Sequence, residues 1–167
     1  MSKLVDQLAK YASYHRDRRN ILTHFLGIPL IVQSVTVLLA RPTLPLTDEI
    51  SLSAGMVLAA LASLFYLALD RRIGAVMTAL LALSVSLSSL TTPLATSTWL
   101  CLGLGMFVLG WVIQFWGHYY EGRKPAFVDD IIGLLIGPMF VVAELGFLLG
   151  LRKDLEGAVI SKVGTTR

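Results

Sequence analysis

Charge is scarce in this sequence. Only 15% of its 167 residues are Asp, Glu, Lys or Arg, against roughly 25% in an average soluble domain. With 55% hydrophobic residues and a mean hydropathy of +0.72, that shortage excludes a water-dissolved globule. A single cysteine, Cys101, excludes an internal disulfide. It lies within an apolar run and reads as packing rather than chemistry. Long linkers, low-complexity tracts and internal repeats are lacking, which leaves one membrane domain over 1–167 and no room for a soluble one. Also lacking are a nucleotide loop, a nucleophile elbow and a Cys/His zinc pattern. Ser-His-Asp catalysis stays open, but no serine has a context that singles it out. The net charge of +3 does not point to nucleic acid, because the basic residues sit in short segments between apolar runs. The N-terminus is charged and amphipathic, with no short apolar stretch leading to a cleavage site. The first span is therefore expected to target the chain.

What is abundant is long apolar runs. A spanning helix needs roughly 20 largely apolar residues, and five stretches qualify or come close: 21–40, 50–69, 73–90, 98–115 and 127–151. Only helices or closed barrels satisfy the backbone in lipid. The expected fold is all-α, a polytopic transmembrane bundle of four to five membrane helices. Lys3, Lys10, Arg16, Arg18 and Arg19 precede the first stretch, Arg71 and Arg72 follow the second, and Arg123 and Lys124 follow the fourth. The opposite loops hold only Arg41, so the positive-inside rule places the N-terminus in the cytoplasm. The fifth stretch contains Asp129, Asp130, Gly133, Gly137, Pro138 and Glu144, and the tail after it is basic. A broken or re-entrant element returning the tail to the cytoplasm is expected there, with a kinked fifth span as the alternative.

The three histidines, His15, His24 and His118, all fall at one membrane face by this topology. Imidazole is the commonest protein metal ligand and suits iron, zinc and copper, which points to a shared metal site over scattered interfacial residues. His15 and His24 are nine apart, on opposite sides of a straight helix, so convergence demands a bend, and 16–20 is the place for it. Asn20 can cap the helix that follows and is an i, i+4 neighbour of His24. In a helix through 114–121, Gln114, His118 and Glu121 share a face. Glu121 is then a fourth ligand, an acceptor that orients the imidazole, or a solvated partner of Arg123 or Lys124. Those two cations can bind phospholipid or an acidic substrate's carboxylate.

Tyr14-His15, Asn20, His24, Gly27 and Pro29, then Gln114-Phe-Trp-Gly-His118, Glu121, Arg123-Lys-Pro-Ala126 and Asp129, resemble in order and spacing the two motifs of the iron-dependent 2-hydroxy fatty acid dioxygenases of phytosphingosine breakdown. Pro138 and Glu144 fit that family's tail. The resemblance implies Fe(II) as cofactor, His15, His24 and His118 as its ligands, and supporting roles for Asn20, Gln114 and Glu121. It implies Arg123 or Lys124 for the substrate carboxylate. The implied reaction consumes a 2-hydroxy fatty acid and O2 and gives the acid shorter by one carbon plus CO2. Membrane lipids are the other expected partners, and a homo-oligomer is compatible. The competing readings are a lipid-binding scaffold or small transporter, and a zinc-dependent membrane hydrolase. Absence of an endoplasmic-reticulum retention tail favours a bacterial inner membrane, with the endoplasmic reticulum as the eukaryotic counterpart.

Overall fold

The structure is a computed structural model that describes residues 3–45, 47 and 51–166. Ile50, where the second apolar stretch begins, the acids Asp48 and Glu49 of the loop before it, and Arg167 of the tail lie outside the described residues. The described chain runs α1 (Lys3–Ala12), α2 (Arg18–Leu38), β1 (Thr43–Pro45), β2 (Ser51–Ser53), α3 (Ala54–Leu69), α4 (Arg71–Ser89), α5 (Thr96–Glu121), α6 (Gly133–Leu148) and α7 (Lys153–Val163), with a 3-10 turn at Ala126–Val128. It is an all-α fold whose strands form only a small antiparallel hairpin, with Leu44 opposite Leu52.

α2, α4 and α5 are each long and apolar enough to cross a membrane, and α6 with α7 qualifies as a fourth, broken element bent by 113°. Three to four such helices fit a multi-pass membrane protein. α3 is as apolar but has 16 residues, because Ser51–Ser53 of the expected stretch pair with β1 instead. A broken element is present as expected, but the break does not fall at Pro138, which lies inside the continuous helix α6; it falls after Leu149. Gly150 at φ 72° and Arg152 at φ 52° turn the chain through the left-handed region, which glycine adopts freely and other residues seldom do. Beyond it, α7 was hidden from a reading by hydropathy, since Lys153, Asp154, Glu156 and Lys162 break up its apolar face.

Two compact units can be described separately: residues 1–28 with 112–167, and residues 29–111. In the first, α1 packs on α6 and α7. Its buried Leu4, Val5, Leu8, Ala9 and Ala12 recur at the three- and four-residue spacing of one helix face. Lys162 of α7 pairs with Asp6 of α1, and Arg16 donates to the carbonyls of Gly164 and Thr165. Gly137 of α6 lets Tyr11 in: a methyl there would lie 2.9 Å from the Tyr11 hydroxyl.

In the second unit, α3 and α4 form a hairpin. Asp70 caps α4 by accepting from the backbone N–H groups of Arg72 and Ile73, both at 2.9 Å, which satisfies two otherwise orphaned donors. Gly74 makes the hairpin possible, since a Cβ there would stand 2.7 Å from the backbone of Tyr66 and Leu67. Small residues permit this close approach in membrane helices. Between α2 and α4 runs a buried polar ladder. Gln33 donates to Ser88 at 2.9 Å and accepts from Ser84 at 2.9 Å, and Thr36 meets Ser84 at 2.8 Å.

Candidate metal centre

α1 ends at Ala12 and α2 begins at Arg18, so the bend needed to bring His15 and His24 together occupies 13–17. Asp17, rather than Asn20, serves the start of α2: its carboxylate accepts from the backbone N–H of Arg19 at 2.8 Å. Asn20 lies one turn further in, fully buried. The bend is held from across the fold by Glu121. Its carboxylate accepts from the backbone N–H of Arg16 at 2.9 Å to each oxygen, from that of Asp17 at 2.8 Å, and from the Asn20 amide at 3.1 Å. The two backbone donors stand just before the first turn of α2, where no helical carbonyl accepts from them, and a carboxylate is a strong acceptor for them. Glu121 is therefore engaged with the bend, and no hydrogen bond joins it to the His118 ring among the described residues.

The bend brings the three histidines together. Ring centroids lie 4.4 Å apart for His15–His24, 5.0 Å for His15–His118 and 5.2 Å for His24–His118. One ligand atom of each lies within 4.8 Å of the others, and all three rings are buried. His15 Nδ1–H donates to the Tyr11 carbonyl at 2.8 Å and His24 Nδ1–H to the Asn20 carbonyl at 2.8 Å. Carbonyls only accept, so both Nδ1 atoms carry the proton, and in the neutral rings both Nε2 atoms carry lone pairs. Those two Nε2 atoms are nevertheless 3.0 Å apart. His118 Nδ1 is also buried without a hydrogen-bond partner among the described residues. Burial pushes the pKa of His15 down to about 4, so that ring is neutral near pH 7 and brings no imidazolium proton to the gap. A cation shared by the rings resolves the arrangement. Metal–imidazole bonds of roughly 2.0–2.1 Å span such a separation, and three neutral imidazoles are a donor set that suits a divalent transition metal. The residues fit a metal ion.

Two positions to which the sequence reading gave no role shape this centre. Tyr11 stacks on His15 with centroids 4.2 Å apart and planes 10° from parallel, besides providing the carbonyl. The signal was there: Tyr11 stands four residues before His15, as Asn20 stands four before His24. Gly117 lets α5 approach α2, since a Cβ would fall 2.0 Å from Thr23 Oγ1 and 2.5 Å from Asn20 Oδ1. No sequence pattern signals that clearance. Gln114 is buried one turn before His118 on α5; among the described residues its Nε2 has no hydrogen-bond partner, and Asn20 Oδ1 is likewise unpartnered.

The expected substrate cations lie at the exposed edge of this unit. Lys124 pairs with Asp129 at 2.5 Å, and Asp129 also accepts from the Tyr14 hydroxyl at 2.8 Å. These two partners hold the Asp129 carboxyl below its ordinary pKa, the lysine contributing most. Arg123 donates to the Ser13 carbonyl at 3.1 Å and enters no ion pair among the described residues.

No solved structure matches this chain. The sequence profile of the family described as 2-hydroxy-palmitic acid dioxygenase Mpo1-like matches residues 1–149, a stretch that includes all three histidines, the bend and Glu121. The 2-hydroxy-palmitic acid dioxygenase MPO1 of Saccharomyces cerevisiae is 33% identical over 159 residues, covering 93% of this chain and 87% of the yeast protein. With the profile running through both halves of the histidine centre and a relative of this extent, the chain belongs to the Mpo1-like family.

Proposed function

We propose that the protein is an Fe(II)-dependent dioxygenase of 2-hydroxy fatty acids, held in the membrane with its N-terminus in the cytoplasm. The proposed overall reaction is R–CH(OH)–COOH + O2 → R–COOH + CO2 + H2O. The observation that carries the reading is the pair of opposed Nε2 lone pairs of His15 and His24, with His118 beside them. The activity named for the yeast relative supports the substrate class, and the distribution of lysine and arginine supports the orientation.

His15, His24 and His118 would hold the metal. Fe(II) there would supply redox contact with O2 and Lewis acidity toward the substrate's oxygens. The remaining roles belong to the chain itself. The carbonyls of Tyr11 and Asn20 fix the tautomer of two ligands by taking their Nδ1 protons. Glu121 fixes the bend that brings those ligands together. Gln114 has an unspent buried amide donor four residues from His118, suited to an oxygen of the bound 2-hydroxy acid. Arg123 is the better candidate for the carboxylate, because Lys124 is already neutralised by Asp129. The acyl chain would lie along apolar helix faces at membrane depth.

The test is metal analysis and turnover of the detergent-purified full chain. Near-stoichiometric iron, lost in His15→Ala, His24→Ala and His118→Ala, with oxygen-dependent conversion of 2-hydroxypalmitate to the acid one carbon shorter, is the expected result. Zinc in place of iron with oxygen-independent activity would move the assignment to a hydrolase. Normal lipid behaviour without any bound metal would leave a scaffold.

A further inference from the structure

The unit formed by residues 29–111 has a site of its own. A cavity of about 400 Å3 lies beside the ends of α2 and α4 and the hairpin that leads into α3. Arg41 lines it, the only lysine or arginine between Arg19 and Arg71. The guanidinium is held rigidly. Nη1 donates to Thr96 Oγ1 at 3.1 Å, Nη2 donates to the Leu94 carbonyl, and the group stacks 4.4 Å over the Trp99 ring. Its Nε is buried and unpartnered, and no carboxylate pairs with it among the described residues. A fixed cation with an unspent donor invites an anionic oxygen.

The rest of the lining asks for something different. Thr36 and Ser88 belong to the polar ladder already described. Ser89 and Thr92 have given their protons to backbone carbonyls, Ser86 at 2.7 Å and Ser89 at 2.8 Å. A hydroxyl has one proton and two lone pairs, so Ser89 and Thr92 offer the cavity acceptors only. The complementary ligand accepts at one end, from Arg41, and donates at the other. Trp99 at the start of α5 and the ends of two membrane-length helices set the cavity at headgroup level, where interfacial tryptophans gather. The abundant molecules there with both features are phospholipids.

We propose that this cavity binds the headgroup of a phospholipid that carries a primary amine or hydroxyls beside its phosphodiester, with Arg41 on the phosphate and Ser89 and Thr92 accepting from the amine or hydroxyl. The reasoning is independent of the histidine centre.

The test is native mass spectrometry of the full chain, titrated with phosphatidylethanolamine, phosphatidylglycerol and phosphatidylcholine of equal acyl composition, and separately with inorganic phosphate and 2-hydroxypalmitate. One equivalent of the ethanolamine or glycerol lipid should bind roughly tenfold or more tightly than the choline lipid. Arg41→Gln should weaken that binding roughly ten- to a hundredfold, as loss of one or two charged hydrogen bonds does. Ser89→Ala combined with Thr92→Val should erase the preference over choline while leaving phospholipid binding itself. Equal binding of the three lipids, or unchanged binding by a folded Arg41→Gln protein, overturns the proposal. So does inorganic phosphate binding as tightly as lipid, which would make this a free-anion site. Displacement of the lipid by one equivalent of 2-hydroxypalmitate would overturn it in favour of the reaction's substrate. Should Arg41→Gln not fold, the Ser89→Ala, Thr92→Val double variant decides: a retained preference sinks the idea.

Discussion

The Nε2 atoms of His15 and His24 face each other across 3.0 Å while both Nδ1 protons are committed to backbone carbonyls. Neither ring can donate to the other, so the contact opposes two lone pairs within a buried site. Metal should therefore act on stability as well as activity. At Fe(II) one hundredfold above its Kd, ligand binding contributes about 2.7 kcal/mol, measurable as a chelator-sensitive thermal midpoint under anaerobic conditions. His24→Leu should abolish that sensitivity. The metal-free variant should also melt no lower than metal-free wild type, because it relieves the opposed lone pairs. A variant that melts well below the metal-free wild type would contradict this.

Glu121→Gln should damage the centre from a distance. The carboxylate accepts from two backbone N–H groups and an amide, and a neutral amide presents its own donors to some of them. Unsatisfied buried donors cost roughly 1–3 kcal/mol. Residues that orient metal ligands typically change metal affinity 10–100-fold. Iron titration should show the affinity loss with all three histidines intact. Unaltered iron affinity would remove Glu121 from any part in positioning the ligands.

Gly117→Ala should fail where Gly146→Ala succeeds. A methyl at 117 collides with Thr23 and Asn20, whereas one at 146 meets nothing within 4 Å. The first variant must push α5 away from α2 and should lose most of its iron. The second should keep its iron and gain up to about 1 kcal/mol from helix propensity. Iron content and thermal midpoints of the two proteins, measured side by side, check this.

Gln114→Leu separates stability from chemistry. The amide donor is buried without a partner among the described residues, so an apolar replacement of similar size should leave the thermal midpoint unchanged or raise it. If the donor is reserved for the 2-hydroxy acid, turnover should fall roughly tenfold or more at unchanged iron content. Steady-state kinetics on 2-hydroxypalmitate decide the matter, and undiminished turnover would remove Gln114 from the site.

Much of this was legible in the sequence because membranes impose one-dimensional rules. Hydropathy marks α2, α4 and α5, and the basic tail marks a broken element, although Pro138 proved to lie within α6 and the break at Gly150–Arg152. The nine-residue gap between His15 and His24 demanded a bend. What stayed illegible depends on packing between distant segments. Glu121, three residues after His118, suggested a contact with that ring. The donors of Arg16 and Asp17, more than 100 positions away in sequence, claim it instead because a helix start leaves them unsatisfied. The clearance at Gly117 exists only once α5 meets α2, and the β1–β2 hairpin replaces helix where Ser51–Ser53 find strand partners. Tyr11 is the exception, since its relation to His15 repeats that of Asn20 to His24.

The two carbonyls that receive the Nδ1 protons belong to the main chain, at positions 11 and 20. Every amino acid brings that oxygen with it. The chemical form of two imidazoles is thereby guaranteed by chain path, and no single codon change at either position can delete the acceptor. Substitutions at 11 and 20 can loosen packing or misplace a ring, but drift at those positions can erode the centre only by degrees.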